Sequence, residues 1–202
     1  MENFEKKEET IEDLKEQLKD KEAEIERLKQ DLMHDNLTGL KTRKFFLETV
    51  QADVKSLFDP EKEKRKESLK NLSIIFCDID NFKKLNDKHG HSYGDKILKE
   101  VSNILQKNVR GSDIVCRYGG EEFVIALRGS NEEETQKIAE KLKQLIEQST
   151  EVTISAGVSQ ITPLLLLEET IESADQAMLW AKESGKNQIK TFSQYLKESK
   201  DS

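Results

Sequence analysis

The chain has 202 residues, of which 35% are hydrophobic and 36% charged, with a formal net charge of −7. That length suits one domain of ordinary size plus an appendage, and the polarity is too high for a single compact core throughout. The acidic balance argues against a nucleic-acid partner, whose binders present a basic face, but is compatible with a small anionic substrate held through a metal.

Residues 1–33 carry a heptad repeat: Phe4, Ile11, Leu18, Ile25 and Leu32 share one position, with Leu14 and Leu28 three residues on. Such spacing predicts a parallel two-stranded coiled coil and hence a homodimer; a lone polar helix is the competing reading. Next come an amphipathic helix over 43–57, an exposed charged connector over 58–70, a buried strand Leu72 to Ile79 and a helix Ser92 to Asn108. A hairpin over 113–128 turns at Gly119-Gly120, glycines expected there because a tight two-residue loop needs φ > 0. A helix over 131–148 and a strand Glu151 to Ser159 follow, the latter pointing Val152, Ile154 and Val158 one way. A helix over 168–184 stops at Gly185, a short strand covers Gln188 to Phe192, and 193–202 read as a polar tail. The mixture reads as an α+β or α/β sandwich. Cys77 and Cys116 are expected as reduced, buried thiols. No apolar signal region opens the chain, and Leu164 to Leu167 falls far short of the ~20 residues of a membrane span. The expectation is a soluble, cytoplasmic protein without a membrane partner.

The chemistry concentrates in acids at strand ends. Asp78 closes a buried apolar run and Asp80 follows, while Glu121 and Glu122 stand directly after the two glycines. If the strand neighbours the hairpin, these carboxylates converge. Hard divalent cations take carboxylate oxygens plus substrate phosphates, and such ions serve phosphoryl and nucleotidyl transfer.

These residues carry a resemblance. Arg117-Tyr-Gly-Gly-Glu-Glu-Phe123, Asp35-Asn-Leu-Thr-Gly-Leu40, Asp78-Ile-Asp-Asn-Phe-Lys83 with Asn86-Asp87 and Gly90-His-Ser-Tyr-Gly-Asp95, Thr153-Ile-Ser-Ala-Gly-Val158, and Ala174-Asp175 through Ala181-Lys182 to Gly185-Lys-Asn187 occur in the order found in GGDEF domains. From about Asp35 to Ile189 the chain resembles that diguanylate cyclase family in its Gly-Gly-Glu-Glu-Phe version. The resemblance implies a palm-like nucleotidyl-cyclase sandwich, a mixed central sheet flanked by helices and preceded by the long N-terminal helix. The division it suggests is 1–33 coiled coil, 34–192 cyclase domain and 193–202 tail.

It further implies condensation of two GTP into cyclic di-GMP with loss of two pyrophosphates. Asp78, the Ile79 carbonyl and Glu121 or Glu122 would hold Mg²⁺ (or Mn²⁺), and the other glutamate would assist removal of the 3′-hydroxyl proton; which does which stays open. Lys83, Lys182 and Lys186 would face the triphosphate. Asn86 and Asp95 would bind guanine, with Phe82 and His91 in the same substrate segment; an acid at 95 suits the guanine donors and disfavours ATP. Arg110 and Asp113 stand where the family's inhibitory Arg-x-x-Asp site lies, implying product inhibition by cyclic di-GMP; an ordinary surface Arg–Asp pair is the plainer reading. Thr42, Leu179 and Lys186 depart from the family's usual Asn, Tyr and Arg. The alternative function is a catalytically inactive module that binds GTP or cyclic di-GMP and signals through the coil, but such a copy is expected to have lost a metal acid or a turn glycine.

Overall fold

The computed structural model describes residues 2–59 and 69–201, without the side chains of 2–12, 28, 30–32, 200 and 201. Most of the connector expected over 58–70, and the heptad side chains of Phe4, Ile11, Leu28 and Leu32, therefore lie outside the described residues. Helix α1 runs Glu2–Met33. Its described heptad residues Leu14, Leu18 and Ile25 are exposed by 58%, 61% and 51%, so these three side chains have no cover among the described residues.

Strand β1 (Lys41–Thr42) leads into α2 (Arg43–Leu57). The Thr42 hydroxyl accepts from the Phe45 amide, so Thr42 caps the start of α2. Strand β2 (Leu72–Ile79) is buried along its whole length. After it come α3 (Phe82–His89) and α4 (His91–Lys107), joined only by Gly90 at φ 85°, ψ 161°, a left-sided conformation that frees the chain to change direction between two helices. Strands β3 (Ile114–Arg117) and β4 (Glu122–Arg128) form the hairpin, and α5 (Glu132–Ser149) starts from an Asn131–Glu134 capping box. Strand β5 (Ile154–Gln160), α6 (Leu167–Glu183), β6 (Ile189–Thr191) and α7 (Phe192–Asp201) complete the chain. The last helix corrects the expected polar tail: Phe192 and Tyr195 pack their rings near one another, and Tyr195 meets Trp180 of α6.

The six strands form one mixed sheet in the order β1-β3-β4-β2-β5-β6. The β1–β3 and β5–β6 pairs are parallel; β3–β4, β4–β2 and β2–β5 are antiparallel. Period-two alternation sorts side chains to two faces. Ile75, Cys77 and Ile79 of β2 join α4, α5, Val152, Ile154 and Val158 in one core. Ile74 and Phe76 join α2 and α6 in the other. The sheet is thus sandwiched between helix layers, which is the α+β arrangement expected. Gly157 of β5 lets α6 lie directly on the sheet, since a Cβ there would run into the Ala174 carbonyl and the Met178 amide. Both cysteines are free and buried, and burial pushes the Cys116 thiol up to about 12.

Candidate active site

The hairpin does neighbour the acid-bearing strand, with Asp78 of β2 directly opposite Glu122 of β4. Directly paired residues project to the same face, so two carboxylates meet at the C-terminal end of the central strand. Glu121 lies one residue earlier, and its carbonyl accepts from the Ile79 amide at 3.3 Å. The connecting loop differs from the expected two-residue turn. It spans Tyr118 to Glu121, closed by the Tyr118 amide donating to the Glu122 carbonyl at 2.8 Å. Neither Gly119 nor Gly120 has a positive φ. Gly119 is required for space, because a Cβ there would collide with Glu122 Oε2, while Gly120 faces open room.

Arg117 braces this turn. Its guanidinium donates to the Gly120 carbonyl at 2.8 and 3.1 Å and to Asp35 at 3.1 Å. Asp35 in turn accepts from the Thr38 amide and hydroxyl. The opening Asp-Asn-Leu-Thr motif is therefore tied to the base of the glycine turn across 82 positions of sequence.

Lys182 of α6 reaches Asp78 at 2.8 Å. Burial nevertheless pushes the Asp78 carboxyl up to about 6; Lys182 opposes this, and Glu121 and Glu122 add to it. Glu122 is likewise raised, first by burial and then by Asp175 and Glu121, with Lys182 and Arg43 pulling the other way. Burial also raises Asp175 on α6, against Lys182. Several half-desolvated carboxylates thus face one small region with one close ammonium among them. The donor set fits a hard divalent cation, which would relieve the repulsion with oxygen ligands. Among the described residues no three His, Cys, Asp or Glu side chains stand close enough to hold a metal ion by themselves.

Lys186 follows α6, and its ammonium donates to Asn81 Oδ1 at 2.6 Å, just before α3. Asn81 makes no side-chain cap on α3, leaving the first amides of that helix for other acceptors. Lys83 is exposed in its first turn. Asn86 packs against Gly94 of α4, where a Cβ would overlap its Oδ1, and that oxygen is buried without a partner. Asp95 and His91 are exposed on the first turns of α4 beside it. Phe82 is different: it is 7% exposed and belongs to the core beneath α4, a packing place rather than an open one.

The Arg110–Asp113 turn lies apart from these groups. Asp113 accepts from the Arg110 amide at 2.9 Å and the Arg128 amide at 3.1 Å. The turn lines a cavity of about 410 Å³ together with Lys41, Phe45, Gln106 and Arg128. Arg128 is engaged with Asp53 at 2.6 Å. Arg110 is exposed and shows no side-chain bond to Asp113, so the simple surface pair is not formed.

Two polar participants escape a reading of local pattern: Asp175 and the Asp35–Arg117 brace. Asp175 sits one helical turn before Leu179 and two before Lys182, which places it on the site's face of α6. The brace was signalled only by two motifs far apart in sequence.

Comparison with known proteins points to one family. The family described as diguanylate cyclase, GGDEF domain, matches residues 32–188. Diguanylate cyclase A of Treponema denticola is 32% identical over 164 residues, 77% of this chain and 43% of that protein. The chain therefore spans less than half the length of this curated relative. Among solved structures, the coiled coil and GGDEF domain of DgcB from Caulobacter crescentus in complex with c-di-GMP is similar in fold, with a TM-score of 0.72 at 24% identity over 88% of this chain and 98% of that one. The active GGEEF domain of a diguanylate cyclase from Vibrio cholerae is 31% identical, with a TM-score of 0.60 over 72% of this chain and 95% of that one.

Proposed function

From the premise that the chain belongs to the diguanylate cyclase GGDEF-domain family, we propose that it condenses two GTP into cyclic di-GMP and two pyrophosphates across a homodimer. The observation that carries this reading is the convergence of Asp78, Glu121 and Glu122 beside Lys182, with the Asp78 carboxyl raised by burial and by its acidic neighbours.

In the proposed reaction each 3′-hydroxyl oxygen attacks the α-phosphorus of the other GTP, and pyrophosphate leaves as its bond to that phosphorus breaks. Asp78, the Ile79 carbonyl and Glu121 or Glu122 would hold Mg²⁺ (or Mn²⁺). When bound, that cation offsets phosphate charge and lowers the pKa of an oxygen it touches. The turn glutamate that is not a ligand takes the 3′-hydroxyl proton. Lys182, Lys186 and Lys83, with the uncapped amides of α3, offset charge on the triphosphate. Guanine lies against α3 and α4, where the unpartnered Asn86 Oδ1 and the Asp95 carboxylate accept from its N–H donors. Adenine lacks those donors, so ATP would strand both acceptors. Phe82 supports this pocket from the core, and His91 stands at its rim.

One domain holds one GTP, so two half-sites must face each other. The uncovered Leu14, Leu18 and Ile25 stripe of α1 supports pairing through a parallel coiled coil, which raises the effective concentration of one half-site near the other. Cyclic di-GMP acting at Arg110 and Asp113 would complete a feedback loop. The cavity beside them and the uncommitted Arg110 guanidinium support that role.

Incubating the chain with GTP and Mg²⁺ and separating the nucleotides by chromatography tests the reading. Cyclic di-GMP with released pyrophosphate is expected, and ATP should give no product. Bound nucleotide with no product would favour a receptor that has kept the site without turnover.

A further inference from the structure

The Asp-Ile-Asp motif contains a second acid that no step above uses. Asp80 is 5% exposed, yet it meets no cationic side chain among the described ion pairs. Its Oδ1 accepts from the Ser155 hydroxyl at 2.7 Å. Its Oδ2 accepts from the Thr153 hydroxyl at 2.7 Å and from the Asn187 backbone amide at 3.0 Å. Its own amide donates to the Thr153 carbonyl at 2.9 Å.

The Asn187 contact matters because of what surrounds it. Gly185, Lys186 and Asn187 have φ of 113°, 66° and 47°. Two non-glycine residues in the left-handed region persist only where neighbouring structure imposes them. Asn81, next to Asp80, is left-handed as well at φ 58°, and its Oδ1 accepts from Lys186 Nζ. Two adjacent residues after β2 therefore grip two adjacent residues after α6. One grip is carboxylate to backbone amide, the other amide oxygen to ammonium. Further bonds hold the outside of the turn: Lys143 donates to the Asn187 carbonyl and Asn187 Nδ2 donates to Glu147.

We infer that Asp80 is a positioning residue, whose buried carboxylate holds the left-handed Lys186–Asn187 turn so that the Lys186 ammonium stands at the start of α3, where an anionic substrate's phosphates bind. This rests on the proposed GTP reading. One ammonium donor is taken by Asn81 and two remain for phosphate oxygens. Asp80 acts through Lys186 and touches no substrate. The Thr153 and Ser155 hydroxyls hold the carboxylate between β5 and the turn, which fixes its direction as well as its place.

The test is a double-mutant cycle read by affinity for 3′-deoxy-GTP with Mg²⁺, an analogue that lacks the nucleophile and cannot condense. Asp80→Ala and Lys186→Met should each weaken binding about tenfold, and the double variant should be no weaker than either alone. Asp80→Asn keeps an acceptor for the Asn187 amide and should recover most of the affinity. Amide exchange at Asn187 should accelerate in Asp80→Ala while the β2 amides stay protected. Should Asp80→Ala not fold, Asp80→Ser, too short to reach Asn187, replaces it in the cycle. Additive losses, or a lower melting temperature with unchanged affinity, would make Asp80 a purely structural residue and overturn the inference while leaving the GTP reading intact. If the unmutated chain binds no 3′-deoxy-GTP, both fail together.

Discussion

The two turns at the ends of β3 both carry acids within an Arg- and Gly-containing segment, yet their carboxylates are in opposite states. At the Arg110–Asp113 turn, Asp113 accepts from two backbone amides, one in its own turn and one on β4. It is a fastening, and what is left over is the arginine. At the glycine turn, Glu122 is pressed toward Asp78, Glu121 and Asp175 with its charge disfavoured, and the arginine, Arg117, is the fastening. A carboxylate already bonded to two amides gains little from a cation. One held under repulsion gains most from a cation. The same residue types thus read as architecture in one turn and as chemistry in the other, and only their partners distinguish them.

The largest expected effect breaks the glycine-turn side of this contrast. Asp78→Asn should lower GTP condensation by about 10³-fold or more. Because it also removes a buried, repelled charge, the variant should melt at or above the temperature of the unmutated, metal-free chain. A fall of more than ~4 °C would make the carboxylate a fastening after all. The two glycines sharpen the point. Gly119→Ala drives a Cβ into Glu122 and should cost about 10²-fold in rate by misplacing one carboxylate, whereas Gly120→Ala meets open space and should stay within about twofold. Equal losses in steady-state assays would refute the steric assignment.

Much of this arrangement was legible in the sequence, because apolar runs bracket the glycines and end at Asp78. Those runs have the strand period and leave one register that buries them. The reason for the glycines was not legible, since it lies in where Glu122 folds back and not in any φ. Helix α3 was invisible for a related cause. Phe82 and Leu85 are its only sizeable apolar residues, and it starts from a left-handed Asn81 that makes no cap, so both the stripe and the start signal are missing. Helix α7 looked like a tail because its anchor is the edge-on contact of Tyr195 with Trp180 rather than an aliphatic face. Asp80 and Asp35 could be seen as motif letters, but their partners lie 73 to 107 and 82 positions away, beyond any local pattern.

The Arg110–Asp113 turn should respond the other way round. Asp113→Ala removes an acceptor from two amides and should cost about 1–2 kcal/mol of stability. Arg110→Ala should change stability by no more than about 0.5 kcal/mol yet relieve inhibition by cyclic di-GMP. Denaturant titration and an inhibition curve, run on both variants, separate the two roles. An unchanged curve in Arg110→Ala would remove the inhibitory reading and leave the turn wholly structural.

The smallest effect concerns the brace that holds the glycine turn from behind. Partial burial alone would raise the Asp35 carboxyl, but hydrogen bonds from the Thr38 hydroxyl and amide, then Arg117, outweigh it and set it below the usual carboxylate value. The folded chain therefore holds fewer protons here than the unfolded one through and below that range. The stability this group contributes is complete above the ordinary carboxylate pKa and is lost as the pH falls through the lowered folded value. Between about pH 5 and about pH 3 the melting temperature should consequently fall more steeply for the unmutated chain than for Asp35→Asn, by about 2–4 °C over the interval. Parallel melting curves would mean that Arg117 is held by the Gly120 carbonyl alone. The glycine turn would then be braced from within the hairpin, and the opening motif would contribute nothing to it.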